Sequence, residues 1–249
     1  MKILVCVSCV PDTTTKVRFK DQDRSFDAVG VQWIINPWDE LALTRALELK
    51  ENPSSGIQKI TVATVCTAET EPVIRKALAI GADDAYRVDA LPGDACSVAS
   101  QLAVVLEKEP FDIILAGIES SDYNGSAVGG MLAEILGIPS ISAVSGLAIE
   151  NNQVSLNREI DGGREVISIP VPFVGIVQKG IAKEPRIASM RGIMTARTKP
   201  LQVLPPASVE AMTENTGYQL PQAKKACTMI DPANLAELVR LLQNEAKVL

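Results

Sequence analysis

Four times in its first 140 residues the chain passes from an apolar run of strand length into a segment with helical periodicity, and no other feature restricts the fold as tightly. "KILVCV" (2–7) gives way, after a polar excursion, to "NPWDELALTRALELKE" (36–51). There Asn36 and Pro37 open a helix, and Leu41, Ala42, Ala46 and Leu49 recur at its period. "KITVATV" (59–65), rich in β-branched residues, leads through Cys66 and Thr67 into a helix that Gly81 closes. "DAYRVD" precedes a helix over 94–109 capped by Asp94, "DIILAG" precedes "AVGGMLAEILG", and "PSISAV" adds a further strand. Strands and helices alternating at this spacing predict an α/β fold built on a doubly wound, mainly parallel sheet. Ligands of such sheets bind beyond the carboxyl ends of the strands. Three loops lie there: after Cys6, after Val65, and over 117–126.

The third loop raises the sharpest question. "AGIESSDYNGSAVGGMLAEILGIP" (116–139) brings Ser120, Ser121, Asp122, Asn124, Gly125 and Ser126 to the start of a helix. One reading is a solvated loop with a good N-cap. The other is an anion site, because a helix N-terminus offers unpaired backbone N–H groups and a positive dipole end. The residues by themselves fit both.

Composition narrows the classes. With 47% hydrophobic residues and a mean hydropathy of +0.16, the 249 residues can bury a substantial core, and with 4% aromatics that core is aliphatic. A net charge of −6 argues against non-specific binding to nucleic acid or acidic membranes, and no stretch has the apolar length for direct membrane insertion. "MKILVCVSCVPD" has a strand pattern running into Pro-Asp. It reads as the first strand of a cytoplasmic protein rather than a signal or transit peptide. Five cysteines include Cys6 and Cys9 as a single CxxC, but there is no second CxxC and no histidine. Zinc or dithiol chemistry is therefore disfavoured, no metal site is expected, and buried reduced thiols are the expectation. The missing histidine also removes Ser-His and Cys-His catalysis.

Past residue 150 the pattern changes. "QVSLNREIDGGREVISIPVPFVGIV" (153–177) reads as two alternating strands joined through Asp161-Gly162-Gly163, a hairpin. "IAKEPRIASMRGIMTARTKP" follows, with Met190, Ile193 and Met194 set among Arg186, Arg191, Arg197 and Lys199; apolar side chains in a basic loop fit a docking surface. Four prolines between Pro200 and Pro221 indicate an extended arm. An amphipathic helix over 231–248, capped by Asp231 with Pro232 in its first turn, closes the chain. The expected organisation is thus an α/β domain over 1–199, including the hairpin and a docking loop at 184–199, and an arm with a helix over 200–249 that wraps a partner.

These pieces together resemble the β subunits of electron-transferring flavoproteins along essentially the whole chain. The motifs that carry the resemblance are "MKILVCVSCVPD", "INPWDELALTRALELKE", "VIRKALAIGADDAYRV", "DIILAGIESSDYNGSAVGGMLAEILGIP", "REIDGGREVISIPVPFV" and "EPRIASMRGIMTARTKP", in that order. The resemblance implies a Rossmann-like, adenine-nucleotide-binding fold, an α subunit that holds FAD, and a bound AMP. It also implies electron transfer from acyl-CoA or related dehydrogenases toward a flavoprotein-quinone oxidoreductase or another acceptor, by a carrier with no active site of its own. By position, AMP contacts fall on Cys6, Asn36, Pro37, Trp38, Asp39 and Cys66, and on the Gly117–Val128 loop. Within that loop they are Gly117, Asp122, Asn124, Gly125, Ser126, Ala127 and Val128, with phosphate on the amides of the last three. Thr13 and Trp38 fall near the partner's flavin, and Met190, Arg191 and Ile193 on the dehydrogenase-docking segment.

Departures from the family pattern keep alternatives open. Ser8 stands where many relatives have lysine, and Leu156 and Gly175 depart from the hairpin pattern. "ESSDYNGSAVG" matches neither the AMP-type wording "DDDCNQTG" nor the "QAIDGDTAQVG" of bifurcating relatives, whose β subunit holds a second FAD that accepts hydride from NADH. A nucleotide-hydrolysing enzyme is weighed against by the absence of GxxxxGK[ST]. A stand-alone adenine-nucleotide-binding protein has no need of the arm.

Overall fold

In the computed structural model, residues 1–150, 153–224 and 226–249 are described; the arm's Lys225 lies outside them. The elements follow the alternation read from the sequence. They are β1 (Lys2–Cys6), β2 (Cys9–Pro11), β3 (Phe19–Lys20), β4 (Ser25–Phe26), β5 (Trp33–Ile35), α1 (Pro37–Glu51), β6 (Lys59–Val65), α2 (Glu71–Ile80), β7 (Asp84–Val88), α3 (Ala95–Lys108), β8 (Ile113–Gly117) and α4 (Val128–Leu136). After them come β9 (Ser140–Glu150), β10 (Gln153–Ile160), β11 (Gly163–Ile169), β12 (Phe173–Val177), α5 (Met190–Ala196), β13 (Leu201–Leu204) and α6 (Leu235–Leu241).

One sheet in the order β11-β10-β9-β12-β8-β1-β6-β7-β13 forms the centre. From β9 to β13 every neighbouring pair runs parallel, and β10 and β11 extend one edge antiparallel. Strand alternation sorts the side chains of β1 onto two faces: Ile3 and Val5 join one buried cluster with α1 and α2, Leu4 and Cys6 the other with α3 and α4. A sheet covered on both faces is why its strands read as continuous apolar runs. The fold is the doubly wound, mainly parallel α/β architecture that the alternation predicts.

Four features differ from the reading of the sequence. The 153–177 segment is not a two-stranded hairpin. β10 and β11 pair across Asp161-Gly162, but Phe173–Val177 leaves them and enters the parallel sheet between β8 and β9. All five residues of β12 are buried, so their continuous apolar run is that of a central strand, which Pro172 had merged with the hairpin in the sequence pattern. The 184–199 segment contains a helix, α5, whose cap is Ser189 accepting from the Gly192 amide at 3.1 Å.

The arm begins on the domain itself, because β13 pairs with β7 as the sheet's edge strand. Farther along, Gln101 holds the Ala207 amide and carbonyl at 2.8 and 2.9 Å, and Tyr218 stacks on Phe19 at 5.0 Å. The final helix starts at Leu235 rather than near Asp231. Asn234 takes the cap from the Glu237 amide at 3.2 Å, and Asp231 closes only the preceding turn. Its Leu235, Leu238 and Val239 remain uncovered.

Candidate functional site

β1, β6 and β8 end side by side at the carboxyl edge of the sheet, and α1, α2 and α4 begin there. The loops after β1 and β8 meet over the start of α1, through two polar side chains that are almost wholly buried. Asn36, the N-cap residue of α1, donates from Nδ2 to the Glu119 carbonyl at 2.8 Å and accepts the Ser121 amide at 3.2 Å. Asp39 accepts the Ser8 amide on Oδ2 and the Gly117 amide on Oδ1, both at 2.8 Å. Burial raises the Asp39 carboxyl to about 6 against its hydrogen bonds, and the neighbouring Cys6 thiol is pushed up to about 12 by burial and by the nearby Asp39 charge.

Gly117 is required by this closeness. A Cβ there would meet the Asp39 carboxylate, Trp38 Cβ and the Asn36 amide. Pro37 takes the first helical position of α1, where its missing N–H costs nothing. Cys66, just past β6, is tied by its backbone: its amide donates to Val88 at 3.1 Å and its carbonyl accepts Arg87 Nη1 at 3.0 Å. Its thiol is held below the ordinary value by a hydrogen bond with Cys9 and by the facing Arg87, while the same contact and burial push Cys9 up. The expectation of uniformly buried thiols fails at Cys227, which is exposed, and at Cys9 and Cys96, which are half-buried.

The 117–128 loop is the open part of the site. Asn124 and Ser126 have φ of 50° and 48°, left-handed values that non-glycine residues adopt at a cost. Asn124 donates its amide back to the Ser120 carbonyl at 2.8 Å. α4 then starts at Val128 with Ala127 at the cap, and no side chain caps it. Ser126 is not the cap that its position suggests, because its hydroxyl turns to Glu119 Oε2 at 3.2 Å. Among the described residues nothing accepts the Ser126 or Ala127 amide. Gly129 lets α4 settle on β12, where a Cβ would come within 2.8 Å of Ile176. Left-handed turn residues ahead of an uncapped helix leave backbone donors of the kind that suits an anion. Asp122 and Gly125 lie exposed on this loop.

The sequence missed the long-range contacts of Asn36 and Asp39, since their partners stand 83 and 78 residues away. It also missed Tyr123, whose hydroxyl lies 3.3 Å from that of Tyr218 on the arm. Thr13 sits exposed in the turn after β2. Met190, Arg191 and Ile193 gather on α5, with Met190 77% exposed, so Met190 is no core residue. Beside them a groove of about 800 Å³ runs between α2 and α5, lined by Pro72, Arg75, Lys76, Ile187, Ile193 and Arg197. None of its lining comes from the 117–128 loop. No helix among the described residues is long and apolar enough to cross a membrane.

Comparison with known proteins agrees with this architecture. The family described as "Electron transfer flavoprotein domain" matches residues 24–209. The chain is 36% identical to "Electron transfer flavoprotein subunit beta" of Syntrophomonas wolfei subsp. wolfei, covering 100% of this chain and 98% of that protein. It is 34% identical to the Bacillus subtilis protein of the same description, with both covered at 100%. Against the Homo sapiens protein of that description the identity is 33%, over 84% of this chain and 83% of the relative. The chain belongs to the electron transfer flavoprotein family, as a β subunit.

Proposed function

We propose that this β subunit holds AMP at the carboxyl edge of its sheet and pairs with an FAD-bearing α subunit in the cytoplasm. The pair would carry electrons from acyl-CoA or related dehydrogenases to a flavoprotein-quinone oxidoreductase or another acceptor. The observation that carries the nucleotide reading is the uncapped start of α4 behind the left-handed Asn124 and Ser126. Free amides there can take phosphate oxygens with the helix dipole behind them. Asn36 and Asp39 serve this site by holding its loops, and Cys6 and Cys66 border it at the ends of β1 and β6.

FAD on the α subunit supplies the redox chemistry, and this chain's residues bind, shape and dock. Trp38, half-buried at the start of α1, and Thr13 face the partner's flavin in this reading. Met190, Arg191 and Ile193 on α5 present a flexible thioether and a charge to a dehydrogenase, the chemistry of a contact that forms and releases. The arm beyond Tyr218 and the uncovered apolar side of α6 wrap the α subunit.

The test is to co-purify the chain with its α subunit, unfold the complex and quantify the released nucleotides. One FAD and one AMP per dimer is the expected result. Two FAD without AMP would replace this reading with a hydride-accepting β site.

A further inference from the structure

We propose that Asp39 is the positioning residue of the nucleotide site, and that the site keeps its ligand only while this buried carboxylate is ionised. The inference rests on the nucleotide reading above and goes beyond it to the control of that site.

The geometry is unusual for a helix residue. Asp39 stands in the first turn of α1 yet spends both oxygens outside the helix, on the Ser8 amide after β1 and the Gly117 amide at the end of β8. It is 3% exposed, and its partner position Gly117 admits no side chain. The Ser8 loop is fixed a second time by the Asn36 amide donating to the Ser8 carbonyl at 3.0 Å. One carboxylate therefore sets the separation between two of the three loops that border the ligand.

Protonation would undo this. An ionised carboxylate accepts strongly on both oxygens, whereas a carboxylic acid keeps one carbonyl acceptor, and its hydroxyl oxygen accepts weakly and carries a buried proton that needs an acceptor of its own. One of the two amides is then left with a weakened, no longer charge-assisted bond, and the hold between the loops loosens. The neighbouring ionisable groups are neutral or engaged elsewhere. The Cys6 thiol on β1 stays protonated, Glu40 on α1 pairs with Lys76 of α2 at 3.0 Å, and Glu119 of the β8–α4 loop lies on the Ser126 hydroxyl. No lysine or arginine among the described residues pairs with Asp39. Desolvation without a countercharge holds its carboxyl near 6, so the change falls just below neutrality.

The test is AMP affinity of the full chain between pH 5 and 8, for the wild type and Asp39→Asn. The phosphate of AMP titrates in this range too. The ratio of the two affinities cancels that term. The ratio is expected to be large and constant above pH 7 and to fall about tenfold per pH unit below about 6. In parallel, amide exchange of the ligand-free wild type reads the staple directly. Protection at Ser8 and Gly117 should drop below pH 6 while that of Val7, bonded to the Ala63 carbonyl at 2.8 Å, holds. This second arm needs no variant, so a poorly folding Asp39→Asn leaves the inference testable. A flat ratio, or protection unchanged down to pH 5, overturns it while leaving the nucleotide reading in place. A wild type that binds neither AMP nor FAD at any pH removes the nucleotide reading and this inference with it.

Discussion

Two helices leave the same edge of the same sheet, pack on the same face, and begin in opposite ways. α3 follows β7 and is sealed by its own chain: Asp94 accepts the Ser97 amide on one oxygen at 2.8 Å. Its other oxygen takes the Met212 and Thr213 amides of the arm at 2.7 and 2.9 Å. α4 follows β8 and has no capping side chain, its nearest carboxylate, Glu119, accepts the Ser126 hydroxyl rather than a helix amide, and free amides lie ahead of it. The two helix starts pose the same electrostatic problem, since each ends in amides with no partner within its own helix and in a positive dipole end. What differs is the source of the anion. The molecule supplies it at α3 and leaves the place open at α4, the start at which we propose that the nucleotide phosphate sits.

The largest effect should come from Gly117→Ala, which drives a methyl group into the Asp39, Trp38 and Asn36 contacts behind the α4 loop. A destabilisation of about 1–3 kcal/mol is expected for such overpacking, read from Tm, together with loss of bound nucleotide. Ala127→Asp would make the start of α4 imitate that of α3. AMP affinity should fall by roughly a hundredfold, since the new carboxylate caps the helix and repels phosphate, while Tm without nucleotide rises slightly. If affinity were unchanged, the two helix starts would not differ in the way described.

Acid titration separates the two sites by sign. Hydrogen bonding, first from Ser97, holds Asp94 near 2, below its ordinary 3.8, so its contribution is complete above about pH 4 and lost as pH falls toward 2. Asp39 lies on the other side of its ordinary value, at about 6. Its ionised burial costs stability at neutral pH, and that cost is relieved as pH falls from about 6 to about 4. Unfolding curves of the wild type and Asp94→Ala should therefore converge only below pH 4. The smallest effect belongs to Ser126→Ala. Its hydroxyl meets Glu119 and caps nothing, so stability should change by no more than about 0.5 kcal/mol and AMP should still bind through the backbone.

The contrast also marks what could be read in advance. The alternation of strands and helices was legible because a sheet buried on both faces writes itself as apolar runs, and Asp94 was legible as a cap because capping is local. The strand–loop–helix at 113–136 was legible as a candidate anion site for the same reason. β12 was not, because Pro172 and the preceding alternation made Phe173–Val177 look like the tail of a hairpin. α5 was hidden by its short length and basic composition. The short pairings of β2 with β5 and of β3 with β4, the latter turning through left-handed Asp21, Gln22 and Asp23, lay within what read as a polar excursion. Asp39 read as a residue at a binding position. That its carboxylate is consumed by Ser8 and Gly117 depends on a fold that brings distant segments together, which no local pattern encodes.

Where the phosphate goes decides between a ligand site and an empty helix start at α4. Amide chemical shifts of the nucleotide-free chain, recorded on adding AMP and then adenosine, read this site by site. The amides of Ser126, Ala127 and Val128 should move strongly with AMP and little with adenosine, while that of Ser97, already bonded to Asp94, stays in place with both. Equal shifts at the α4 amides with AMP and adenosine, or an AMP response at Ser97 in their stead, would contradict the ligand site.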